Sequence, residues 1–208
     1  DFVNSIEYFN KSIELKEKLN DKKGLNQTLL NLGKAHYLNT NYKQALLKFR
    51  QSLIISLSFD DIFDLSYRFQ VLGMTHFQLA NYDSATFYMF KADSIYNVID
   101  YPENRLISLS WLSLISIQNG EKNKTFSLTK EFEKLSDDFE PIPDEIIPMN
   151  WNMYRVHQLL GNRKTAKKYL ENSYFEIKSR SKNIKVKMDR EKYLSVQLNQ
   201  EITAAWNN

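Results

Sequence analysis

Apolar residues recur along the chain three and four positions apart, the spacing of one helical face, and the arrangement itself recurs. The clearest copy runs from Leu29 to Leu53. Leu29, Leu32, Gly33 and His36 belong to a first helix, Thr40-Asn41 breaks it, and Ala45, Phe49 and Ser52 share one face of a second. The small residues Gly33 and Ala45 predict a close crossing of the two helices. Asn41, of a residue type that tolerates a left-handed backbone, predicts the stop between them. A shift of 40 residues gives Phe69, Leu72, Gly73, His76, Ala85, Met89 and Ala92. A further 40 gives the weaker set Leu109, Leu112, Ser113, Ser116, Thr125, Thr129 and Phe132. Another 41 gives Asn150, Met153, Tyr154, His157, Ala166, Leu170 and Ser173. A shift of 40 backwards gives only the second half, Ser5, Phe9 and Ser12.

This ruler divides the chain into a leading helix at 2–20 and four helical hairpins near 25–58, 62–98, 103–136 and 144–180. The expected domain is an array over 1–181, followed at 182–208 by a helix that caps the last repeat, as repeat arrays require. Tyr193, Leu194, Leu198, Ile202, Ala205 and Trp206 carry the apolar spacing of that cap. Asp21 to Gly24 reads as a turn with Gly24 just past a helix end, and Asp60-Asp61 as a helix start. Pro148 predicts a first-turn proline or a kink. The ruler enters at a second helix, so the sequence is read as a segment of a longer protein.

The positions Leu29, Leu32, Gly33, His36, Ala45, Phe49 and Ser52 resemble the tetratricopeptide repeat (TPR), with His36 in place of the usual Tyr and Ser52 in place of the usual Ala. The resemblance implies an all-α, right-handed superhelix, an α-α solenoid of extended repeats, since 40 residues exceed the usual repeat of about 34. It also implies that His36, His76 and His157 fill an inter-helix packing position. The tail residues Arg190, Tyr193, Leu194, Val196, Asn199, Glu201, Ile202 and Trp206 resemble the end of TPR arrays in large bacterial signalling proteins. Those proteins combine an ATPase or kinase module with repeats and often a nucleotide cyclase or other output domain. Gln197 departs from that pattern, where such tails often carry Pro.

In this family the first helix of each repeat lines a concave groove. Transferred residue by residue, the expected partner-binding positions are Lys34, Tyr37, Tyr67, Gln70, Met74, Phe77, Leu114, Trp151 and Arg155, with Trp111 adjacent. Aromatic residues and Arg are common interface anchors. The function implied is a non-catalytic interaction or sensor segment that binds a peptide, a helix or a neighbouring domain. A plain scaffold is one alternative. A small-molecule sensor with an enclosed apolar pocket around Met74, Phe77, Trp111 and Leu114 is another.

Composition narrows this further. A net charge of +3 over 208 residues carries no strong nucleic-acid signal. The basic run from Lys178 to Lys192 has no aromatic before Tyr193 and reads as a solvated connection. The absence of Cys removes disulfides, thiolate metal sites and Cys nucleophiles. No apolar run is long enough to span a membrane and no signal peptide opens the chain, so a cytoplasmic location is expected. The acidic groups Asp60-Asp61-Asp64 and Asp137-Asp138-Glu140 lack the spacing of a calcium loop and sit at expected turns. No phosphate loop or nucleophile elbow is present, so no enzyme activity, metal or cofactor is expected.

Overall fold

The structure, a computed structural model, describes residues 2–208 apart from the side chain of Val3. Asp1, the first residue of the expected array, lies outside the described residues. The elements are α1 (Phe2–Lys18), α2 (Lys22–Leu38), α3 (Tyr42–Ser56), α4 (Ile62–Gln78), α5 (Tyr82–Val98), α6 (Pro102–Gln118) and α7 (Lys122–Asp138). A 3-10 turn at Pro143–Glu145 leads into α8 (Ile146–Leu159), and α9 (Arg163–Asn183), α10 (Lys187–Leu194) and α11 (Gln197–Asn207) follow. No strand occurs among the described residues. The all-α expectation therefore holds. The chain forms two compact units, α1–α5 up to Tyr101 and α6–α11 from Pro102 onward.

Each hairpin turn uses the same backbone device. Thr40 N–H donates to the Tyr37 carbonyl (3.0 Å) and Asn41 N–H to that of His36 (2.9 Å). Ala80 and Asn81 repeat this on Phe77 and His76, and Gly161 and Asn162 on Gln158 and His157. These crossed bonds satisfy carbonyls that a helix end leaves open, and they need a left-handed residue at the stop. That residue is Thr40 (φ 59°) and Ala80 (φ 56°) in the first unit, and Gly120 and Gly161 in the second. The sequence reading placed the left-handed residue at Asn41. The structure places it one position earlier, and Asn41 caps the next helix with φ −80°.

Gly24 is likewise not a residue past a helix end. Asp21 is the N-cap of α2, and its carboxylate accepts the Gly24 N–H at 2.8 Å, so Gly24 lies in the first turn. Asp61 caps α4 in the same way through the Asp64 N–H. Pro148 falls in the first turn of α8, where its missing N–H has no intrahelical partner to lose.

The small–large–small face is the core. Ala45, Phe49, Ala85, Met89, Thr125, Phe132, Ala166 and Leu170 are all buried. The nearest neighbour of Gly33 on the second helix is Phe49. A Cβ at Gly33 would stand 2.5 Å from the ring of Phe49, and one at Gly73 would stand 3.0 Å from the backbone N of Met89. The small residue on the first helix makes room for the large one on the second. The polar positions of the third repeat are buried as well: the Ser116 and Thr125 hydroxyls bond each other at 2.7 Å.

Candidate functional site

In the first unit, α2 and α4, the first helices of their hairpins, bring several of the expected positions together. Lys34 Nζ lies 4.7 Å from the centre of the Tyr67 ring, a cation–π distance. Gln78 Nε2 donates to the Tyr37 hydroxyl at 3.2 Å, and the Tyr37 ring meets Tyr42 edge-on at 5.3 Å. Lys34, Tyr37, Tyr67 and Met74 are half-buried. They form a strip of cation, aromatic faces and thioether along two neighbouring helices. Gln27 extends it, donating to Asn31 at 3.1 Å.

Other predicted positions point into the protein. Gln70 is buried, and Phe77 is buried with its ring 5.5 Å from that of Tyr82. In the second unit Trp111 and Leu114 are buried, Leu114 completely, and neither offers a surface to a partner. The reason is visible in α6: Leu106 to Ile117 is buried at every position. A helix apolar or small on all sides is enclosed, so its family register does not define an open face. Trp151 and Arg155 are half-buried. Trp151 stacks on Tyr154 at 4.9 Å, and Gln158 donates to the Tyr154 hydroxyl at 2.7 Å. Tyr154 and Gln78 were missed by the sequence reading, because each falls outside the four transferred groove positions of its helix.

The histidines occupy one structural position in three hairpins. His76 stacks on Tyr88 at 5.4 Å and His157 on Tyr169 at 5.5 Å, both with rings 12° from parallel. His36 meets Phe2 edge-on at 5.7 Å. Both ring nitrogens of His76 are buried without a protein hydrogen-bond partner. Burial holds all three imidazoles below their ordinary pKa, aided by Lys48 at His36 and Arg50 at His76 and opposed by Glu133 at His157. Burial also raises the Tyr169 hydroxyl, with Glu133 and Asp137 adding to the effect. These are packing residues in separate hairpins. Among the described residues, no group of three His, Cys, Asp or Glu side chains is placed to hold a metal ion. No helix of the described residues is long and apolar enough to cross a membrane.

A polar network that includes the signature residue Ser52 ties α2, α3 and α4. Ser52 Oγ donates to Asn26 Oδ1 (2.6 Å), Asn26 Nδ2 to Ser56 Oγ (2.8 Å), and Ser56 Oγ to Asp64 Oδ2 (2.7 Å). Arg68 closes it, with Nε on Ser52 Oγ at 3.1 Å and its guanidinium paired with Asp64. Arg68 is buried, and burial is the largest influence on its pKa, which is lowered.

No family profile matches the chain, and no curated protein is found as a relative. Solved structures do match. BtubC (BKLC) from P. vanneervenii superposes with a TM-score of 0.68 at 13% identity, over 86% of this chain and 74% of that one. The TPR-like repeats of a putative kinesin light chain from P. anserina give 0.64 at 15% identity, over 89% and 90%. The apo form of RapI gives 0.62 at 14% identity, over 98% and 82%. Joined to the repeated hairpins, their shared turn and their small–large–small core, these likenesses establish the fold: the chain is a TPR-like helical-hairpin repeat.

Proposed function

We propose that the chain is a non-catalytic protein-binding segment that holds a peptide, a helix or a neighbouring domain against the first helices of its hairpins. The observation that carries this reading is the strip on α2 and α4, where Lys34 lies over the Tyr67 ring, Gln78 donates to Tyr37, and Lys34, Tyr37, Tyr67 and Met74 are all half-exposed. Rigid aromatic faces supply contact area at low entropic cost, and the ammonium over Tyr67 sets where a partner's acidic or carbonyl group settles. Trp151, Tyr154 and Arg155 form a second half-exposed group on α8. Within the proposal, the buried residues Gln70, Phe77, Trp111 and Leu114 do not touch the partner. A place in a bacterial signalling protein rests on the tail resemblance alone.

The test uses peptides selected from a displayed random library against the whole chain. Lys34→Glu with Tyr67→Ala weakens their binding by about tenfold or more, or about 1.4 kcal/mol, with the helical circular dichroism unchanged. Equal affinity for the variant and the parent overturns the reading.

A further inference from the structure

The outer face of α9 carries a second surface with its own chemistry. Lys164, Lys168, Glu171, Phe175, Lys178 and Lys182 follow one another at alternating steps of four and three, and all six are exposed. This spacing makes a straight seam along a helix, about 27 Å from end to end at 1.5 Å per residue. A partner helix laid alongside reads such a seam. Eleven basic and four acidic residues stand between Arg163 and Lys192, in a chain whose net charge is only +3.

Some basic residues of this region are tied into the fold. Arg180 pairs with Glu176 and Asp144 and donates to the Pro143 carbonyl, while Arg190 donates to that of Ile184. Three of the four seam lysines are not; the fourth, Lys178, lies 5.3 Å from the centre of the Tyr174 ring. Among the described residues, Lys164, Lys168 and Lys182 form no ion pair, whereas Lys11 pairs with Glu7 on its own helix and Lys124 with Glu121, the N-cap of its helix. Phe175, at the middle of the seam, is 53% exposed and touches the Trp206 ring edge-on at 5.7 Å, so an apolar shelf interrupts the charge.

We infer that the α9 seam docks an acidic amphipathic helix, with carboxylates meeting the lysines at both ends and an apolar side chain resting on Phe175 and Trp206. The pattern along the seam, cation then aromatic then cation, is the complement of such a helix. It is a poor match for a phosphate backbone, because Glu171 lies in the middle of the track and would repel it.

The probe is a synthetic helical peptide of matched length, with Glu at both ends of one face and Leu at its centre, tested on the whole chain by fluorescence anisotropy. The expected result is binding that weakens about tenfold when salt rises from about 0.05 to about 0.2 M. The combined substitutions Lys164→Glu, Lys168→Glu and Lys182→Glu remove it, and a peptide with Lys in place of Glu then binds the variant and not the parent. This charge exchange cannot arise from a misfolded variant. Equal binding of a peptide with the same residues in shuffled order overturns the inference. So does tighter binding of a single-stranded oligonucleotide, or affinity unaltered by the three substitutions. Loss of binding in the Lys34→Glu, Tyr67→Ala variant also overturns it, by moving the peptide to α2 and α4. The inference is independent of the function proposed for those helices.

Discussion

At the residue scale, the buried histidines make an acid-sensitive contribution. Each has its pKa lowered from 6.5 by burial, so the unfolded chain binds protons that the folded chain refuses. Their neutral packing contributes fully above pH 6.5 and is lost as pH falls below it towards the folded pKa. At His76, as at His36, the second influence adds to that of burial. The charged group acting on His76 is Arg50, which also disfavours protonation, whereas Glu133 lies 3.6 Å from His157 and favours it. His76→Phe keeps an aromatic ring against Tyr88 and removes the titration. The expected outcome is a melting temperature that falls less between pH 7 and 5 in the variant than in the parent. Parallel curves would mean that His76 does not carry the acid sensitivity. The position was legible in the sequence because the repeat ruler landed on His three times. The stacking on Tyr88 and Tyr169 was not, because those tyrosines sit one residue before the signature positions Met89 and Leu170.

At the element scale, the hairpins are held by what repeats, and the α2–α3–α4 contact also by something that does not. The periodic faces were readable because a buried face must recur at helical spacing in each copy. Burial of neighbouring faces was less so: family register placed Leu114 in a groove with Trp111 adjacent, but α6 is enclosed on nearly every side. Its run of Leu, Ile and Ser without a charge between Leu106 and Ile117 carried that information. Of the network of Asn26, Ser52, Ser56, Asp64 and Arg68 only Ser52 is a signature position, and the bonds join three helices, so no spacing rule exposes it. It makes a distinct demand on stability. Asp64→Ala leaves the Arg68 guanidinium buried and without its carboxylate, which costs about 3 kcal/mol. Arg68→Met costs less, since Asp64 keeps a quarter of its side-chain exposure and is solvated there. Urea unfolding of both variants measures the difference. A larger loss in Arg68→Met would show that the arginine acts mainly by packing its stem.

At the scale of the whole molecule, stability in a repeat array is a sum of local and nearest-neighbour terms, so an end element matters to its neighbours and little beyond them. The reading of the tail as a cap depends on this. Ile202 of α11 is fully buried and packs with Ile147, Leu170 and Ile177, while Trp206 stacks on Tyr174 at 4.9 Å. Trp151 and Tyr154 of α8 join the same cluster, which therefore spans the tail and both helices of the last hairpin. The burial of Ile202 alone contributes about 1.5–3 kcal/mol. Deleting residues 184–208 removes that cover and exposes the apolar faces of α8 and α9. Amide hydrogen exchange then speeds up in α8 and α9 while the amides of α2 to α5 keep their protection, because local openings are confined to the units that lost contacts. The same deletion increases binding of a hydrophobic dye. Unchanged exchange in α8 and α9 would make the tail an appendage. A uniform loss of protection from α2 onward would mean that the chain unfolds as one cooperative block, and that the nearest-neighbour description of its stability fails.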